Sequence, residues 1–132
     1  MTMVACLAAQ PAAAWSDRWS CGTADQLSTA VIVDGSLTLN NFILRERIGL
    51  SGVPHIELTL SAVNRGNDNA YVSIQFLAVD GNGHGQFVIS AAPFLDVVQP
   101  GASAEIKESV YTTGGELSQM VRFCLRLDGR IP

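Results

Sequence analysis

From His55 to Ala62 the chain alternates polar and apolar side chains without a break. In an extended chain Ile56, Leu58, Leu60 and Ala62 would line one face, and His55, Glu57, Thr59 and Ser61 the other. A helix, with its period of 3.6, would scatter both sets. The segment therefore predicts a β-strand ending near Asn64, with one face buried and one in water.

The same period recurs along the chain. Val72, Ile74, Phe76 and Ala78 share a face between Tyr71 and Asp80, where Leu77 and Val79 make the far end apolar on both sides. Val121, Phe123, Leu125 and Leu127 alternate with Met120, Arg122, Cys124 and Arg126, and Ala104, Ile106 and Val110 mark a further strand. Leu27–Val33 is a β-branched run, and Gln86–Ala91 is short, with Phe87 and Ile89 on one side. In Ser36–Ile48 the apolar face shifts from Leu37 and Leu39 to Phe42 and Leu44, which requires a bulge near Asn40-Asn41. Turn residues separate the runs at Asp34-Gly35, Gly49–Pro54, Asn64–Asn69, Asp80–Gly85, Pro100-Gly101 and Gly114-Gly115. No amphipathic helix of ten or more residues stands out. The expected fold is all-β, an immunoglobulin-like sandwich of about seven antiparallel strands.

A chain of 132 residues, 48% hydrophobic and 15% charged, can bury one core and has the length of one domain. Eight basic against twelve acidic residues leave a net charge of −4, with the cations scattered. A nucleic-acid surface needs them clustered, so that class of partner is set aside.

Residues 1–14 read MTMVACLAAQPAAA, apolar and uncharged, before Trp15-Ser16-Asp17-Arg18 turns polar. Ala12-Ala13-Ala14 fits a signal-peptidase site, so 1–14 is expected to be a signal peptide and 15–132 the sandwich domain. A signal normally opens with a positive charge, and none precedes Arg18, so either the true start lies upstream or the signal is degenerate. The stretch is too short to span a membrane. Met3-Val4-Ala5-Cys6 loosely resembles a lipobox, and a lipid anchor at Cys6 is the alternative to cleavage at Ala14. Cleavage would remove Cys6 and leave Cys21 and Cys124, an even pair suited to one disulfide in an exported, extracytoplasmic domain, periplasmic or secreted. Cys124 lies on the arginine face of its strand, so such a bridge would tie the N-terminal segment across the outside or edge of a sheet. The inter-sheet bridge of antibody domains is not expected, because Trp15 and Trp19 both precede Cys21.

The strand ending in Asn (Leu58–Asn64), the strand running into Asp-x-x-Gly (Val72–Gly83) and the Pro100-Gly101 turn together resemble the bacterial immunoglobulin-like domains of secreted proteins, including the FxLYD type. The resemblance spans Ile56–Val110, a little under half the chain. It implies a sandwich and carries no functional residues, and the Phe-x-Leu-Tyr-Asp signature itself is absent.

No motif names a catalytic residue, a metal site or a cofactor. Asp80-Gly81-Asn82-Gly83-His84-Gly85 lacks the Lys-Ser/Thr of a phosphate loop and the distant Glu of a calcium loop. His55 and Glu57 sit side by side on a wet strand face with no serine elbow to serve. The expectation is a non-catalytic domain that binds another protein in an envelope or secreted assembly. The loop residues Asn64, Arg65, Asn67, Asp68 and Asn69, and Asp80, Asn82 and His84, are the places to look. One alternative is a carbohydrate or surface-polymer module using Tyr71, Tyr111 and Trp19. Another is a small metal carrier or enzyme whose site is assembled from loops.

Overall fold

The computed structural model describes residues 19–130. The expected signal peptide, Cys6 and Trp15 lie outside them. Nine strands are described: β1 (Ser20–Thr23), β2 (Ile32–Asp34), β3 (Leu37–Ile48), β4 (Pro54–Asn64), β5 (Ala70–Val79), β6 (Gly85–Ala91), β7 (Val97–Val98), β8 (Ser103–Tyr111) and β9 (Arg122–Arg130). All pair antiparallel. One sheet has the order β1-β9-β5-β6, with β7 also on β5, and the other β2-β3-β4-β8. Among the described residues the helical content is one turn at Glu116–Gln119 and two 3-10 turns, and no helix is long and apolar enough to cross a membrane.

Alternation builds the core. Ile56, Leu58, Leu60 and Ala62 of β4 are buried against Val72, Ile74, Phe76 and Ala78 of β5 and Phe123, Leu125 and Leu127 of β9. Phe76 lies between two other rings, its centroid 5.8 Å from Phe123 and 6.2 Å from Phe87. Each of the larger of these side chains (Val, Ile, Leu and Phe) contributes roughly 1.5–3 kcal/mol on burial, so this interior carries the fold. The shift in β3 occurs where the sequence places it: the β3–β4 register slips between Asn40 and Ile43, and Asn41 takes φ 58°.

Three expectations change. Leu27–Val33 is not one strand. Ala24–Thr29 forms a 3-10 turn that drops Leu27 into the core, and β2 begins only at Ile32. The Gln26 side chain accepts from the Thr23 amide across 3.1 Å and so favours this turn over a β-branched strand start. The last strand starts at Arg122, so Val121 is exposed rather than inward. The far end of β5 is not covered on both sides: Leu77 and Val79 stay half-buried on the outer face. Two short strands carried no sequence signal, β1 and the two-residue β7.

Cys21 and Cys124 are disulfide-bonded. They are direct partners in the β1–β9 ladder, with Cα atoms 4.0 Å apart. Phe123 and Leu125 face the core, so Cys124 points outward between the exposed Arg122 and Arg126. The bridge thus ties an edge strand to its neighbour on the outside of one sheet. It closes a loop with a sequence separation of 103. A loop of that order stabilises by about 4–5 kcal/mol in the chain-entropy model.

Candidate interaction site

The two polar loops that the sequence singles out flank the same strand. Asn64–Asn69 precedes β5 and Asp80–Gly85 follows it. A strand of that length spans about 33 Å at ~3.3 Å per residue, so the loops sit at opposite ends of the sandwich and form no joint site.

Asn64 is not a surface residue. It is fully buried, and every hydrogen-bonding position of its side chain is used. Nδ2 donates to the carbonyls of Asp68 (2.7 Å) and Val98 (2.9 Å), while Oδ1 accepts from the Gly66 amide (2.9 Å) and the Ser36 hydroxyl (3.3 Å). Its backbone adds bonds to Ala102 and Gly101. One residue, through its side chain and backbone together, therefore fastens the β2–β3 turn, the β4–β5 loop, β7 and the β7–β8 turn. Arg65, Asn67, Asp68 and Asn69 remain exposed around it.

The second loop is organised by Asp80 in a similar way. Its Oδ1 accepts from the amides of Asn82 and His84, both at 2.9 Å, and its Oδ2 from the Gln86 side chain at 2.9 Å. The His84 amide bond is the largest of the influences that hold the Asp80 carboxyl below its ordinary value, partly opposed by desolvation. This carboxylate is occupied in closing a hairpin. Asn82 and His84 are exposed, and His84 Nδ1 stands 4.0 Å from Asp80 Oδ2. Among the described residues no three His, Cys, Asp or Glu side chains group as a metal set would.

The aromatic platform is not assembled. Tyr71 opens β5 in one sheet and Tyr111 closes β8 in the other, while Trp19 lies beyond β1. On the outer face of β4, Glu57 is ion-paired with Arg47 at 3.6 Å. The β4–β8 register sets Ser109 opposite Glu57 and Tyr111 opposite His55, and no side-chain hydrogen bond among the described residues joins Ser109 to His55 or Glu57.

The feature that stands out lies elsewhere. Between β6 and β7 the chain leaves the sheet at the buried Pro93 and makes a 3-10 turn, Phe94–Asp96. Phe94 is 86% exposed and Leu95 73%. Leu95 has φ 57° and Asp96 φ 61°, left-handed values at residues that are not glycine. At Leu95 this costs about 1–2 kcal/mol, while aspartate tolerates the region better, and the turn is held closed by a 2.8 Å bond from the Asp96 amide to the Pro93 carbonyl. Beside it runs a groove of about 360 Å³ between the edges of the two sheets, lined by Pro93, Phe94, Val97, Ala102, Ser103 and Glu105.

Comparison with protein-family models, curated proteins and solved structures finds no match.

The Phe94–Leu95 projection was not among the residues expected to bind. Ala-Ala-Pro-Phe-Leu-Asp-Val-Val reads as the tail of one apolar run and the head of another. The available signal was Pro93, which ends a strand, followed by two large apolar residues before the next ladder begins.

Proposed function

We propose that this chain is an exported, non-catalytic interaction domain that binds another protein through the Phe94–Leu95 turn and the groove beside it. The observation that carries the reading is the pairing of large apolar exposure with backbone strain at one site. Folding alone favours neither: water opposes exposing Phe94 and Leu95, and sterics oppose the left-handed Leu95 and Asp96. Both features make sense if a partner buries the two side chains. The disulfide supports export, since such bonds persist in oxidising compartments.

The immunoglobulin-like reading of the sandwich has support in the strand order. The chain-order neighbours β4 and β5 lie in different sheets, β8 returns beside β4, and β9 returns beside β5, as in a Greek key. The departure is β1, an N-terminal strand in the position beside β9 that a final strand would take.

Photo-cross-linkers placed at Phe94 and Leu95, one at a time, in the native envelope or secretome test the reading. A discrete protein adduct at these positions and none from Lys107 on β8 is the expected result. Absence of any protein adduct from both positions overturns it.

A further inference from the structure

Two groups of large apolar side chains stand in water at opposite ends of the sandwich. One is the Phe94–Leu95 turn, at the end where β5 and β8 begin. The other is the turn of the β3–β4 hairpin. β3 and β4 are the longest of the described strands, and their ladder runs on to Ile48 and Pro54, past the last β4–β8 pair at Tyr111. From Ile48 to Pro54 the chain carries no charge. Leu50 at the tip is fully exposed, Ile48 is 72% exposed and Val53 41%. None of the three belongs to the core or to the residues packed against it. The turn is closed on itself, the Gly52 amide donating to the Gly49 carbonyl across 2.9 Å and the Gly49 amide to the Val53 carbonyl across 3.4 Å. The two groups differ in the charges beside them. Asp96 lies in the Phe94 turn and Glu105 in its groove. Behind the hairpin tip stand Arg47 and Arg45, on the outer face of the sheet. Arg47 is opposite His55, and His55 is opposite the exposed Tyr111, so the three form one row. The carboxylates of this region are engaged: Glu57 by Arg47 at 3.6 Å, Glu46 by the Gly115 amide at 2.7 Å and Glu116 by the Thr113 amide at 2.9 Å. Among the described residues Arg45 is in no ion pair.

We propose that the β3–β4 hairpin tip inserts shallowly into the surface of a phospholipid bilayer. The chemistry is graded along one axis, with aliphatic Leu50, Ile48 and Val53 at the tip, Tyr111 behind them, and the arginines behind or level with the ring. A bilayer surface has the same order: acyl chains, then the level that amphipathic aromatic rings occupy, then phosphates. Leu50 is three positions from Arg47, at most about 10 Å at ~3.3 Å per residue. Interfacial segments bury their apolar side chains by roughly 5–10 Å, which leaves both guanidinium groups at headgroup depth. A guanidinium fork binds a phosphate there through paired hydrogen bonds, and Arg45 has no carboxylate to give up first. The hydrogen bonds inside the turn satisfy part of its backbone, as entry into an apolar layer requires. A convex tip of separate side chains also suits a fluid layer, which needs no matching pocket. The Phe94–Leu95 turn has carboxylates beside it in place of arginines, so phosphates disfavour it. It lies at the far end, turned away from the lipid and open to a protein partner.

Flotation of the full chain with vesicles of mixed phosphatidylcholine and phosphatidylglycerol tests the proposal. The wild-type chain is expected to float with the vesicles. Leu50→Asp is expected to weaken the association by at least ~10-fold, and Arg45→Ser by about 5-fold. Both side chains are exposed, so neither change disturbs the core. Every variant keeps residues 1–18, so any contribution from that segment is common to all. Depth is read separately. Fluorescence from Leu50→Trp should be quenched by lipids brominated along their acyl chains, above the wild-type background of Trp15 and Trp19. Val33→Trp, beside the far end of β3, should not be. A wild-type chain that stays in the aqueous fraction overturns the proposal, as does a Leu50→Asp chain that floats as well as the wild type. An unchanged Arg45→Ser chain overturns the phosphate contact. A discrete protein adduct from a photo-cross-linker at Leu50 in the native envelope would make the tip a second protein site and overturn the lipid surface as its occupant.

Discussion

The Asn64 side chain, at the end of β4 in one sheet, donates a 2.9 Å hydrogen bond to the carbonyl of Val98 in the other. This polar tie crosses the interior of the sandwich, and it is saturated on both sides of the amide.

Asn64→Ala would strand the Val98 and Asp68 carbonyls and the Gly66 amide. Each buried group left without a partner costs about 1–3 kcal/mol, and the expected loss in a urea titration is about 2–4 kcal/mol. Asn64→Asp should be no rescue, because an oxygen would then face the Val98 carbonyl. A loss below about 0.5 kcal/mol, the range of ordinary surface substitutions, would show that the network adjusts without it.

Replacing Cys21 and Cys124 together by Ala removes the constraint on the unfolded chain. The expected cost is about 2–5 kcal/mol, read as a lowered thermal midpoint under non-reducing conditions. A non-reducing digest should yield one linked peptide containing both residues, which disappears on reduction. Free thiols at both positions in protein from its native compartment would refute the bond.

Asp80 has a lowered pKa in the folded protein, so its contribution to stability is present above the ordinary value of 3.8 and is lost as pH falls through the depressed one. Asp80→Asn keeps an oxygen for the Asn82 and His84 amides and removes the charge. The wild type should be the more stable at neutral pH, and the two melting curves should converge in acid. Parallel dependences on pH would mean that the carboxylate charge adds nothing to the hairpin.

Leu95→Gly separates stability from binding. Glycine accepts φ 57° without the penalty that leucine bears there. Set against the greater chain entropy of glycine, the expected gain is up to about 1 kcal/mol, while cross-linking through Phe94 weakens. A midpoint that drops by several degrees would mean that packing, rather than a partner, holds Leu95 in place.

The strands of this fold were legible wherever one face meets the core and the other meets water. β4 and β5 follow from their alternation, and the β3 bulge follows from the shift between Leu39 and Phe42. The β-branched content of Leu27–Val33 points to a strand, but the reach of Gln26 to the Thr23 amide closes a 3-10 turn there instead. Asn64 misled because its partners, Ser36 and Val98, lie 28 and 34 positions away, and nothing local distinguishes a buried asparagine from one in an open loop. The strain at Leu95 and Asp96 was invisible for a related reason. Left-handed backbone at Leu or Asp is imposed by what the flanking strands must reach, and residue type does not announce it.

The position of the disulfide also has a mechanical meaning. Tension applied to the segments before Cys21 and after Cys124 would travel through the sulfur–sulfur bond and bypass residues 22–123. Almost the whole sandwich is thereby removed from the load path. While the bond holds, such a pull cannot extend the strands and turns between the two cysteines, the Phe94–Leu95 turn among them, and the Leu125–Arg130 part of β9 is the segment left under load.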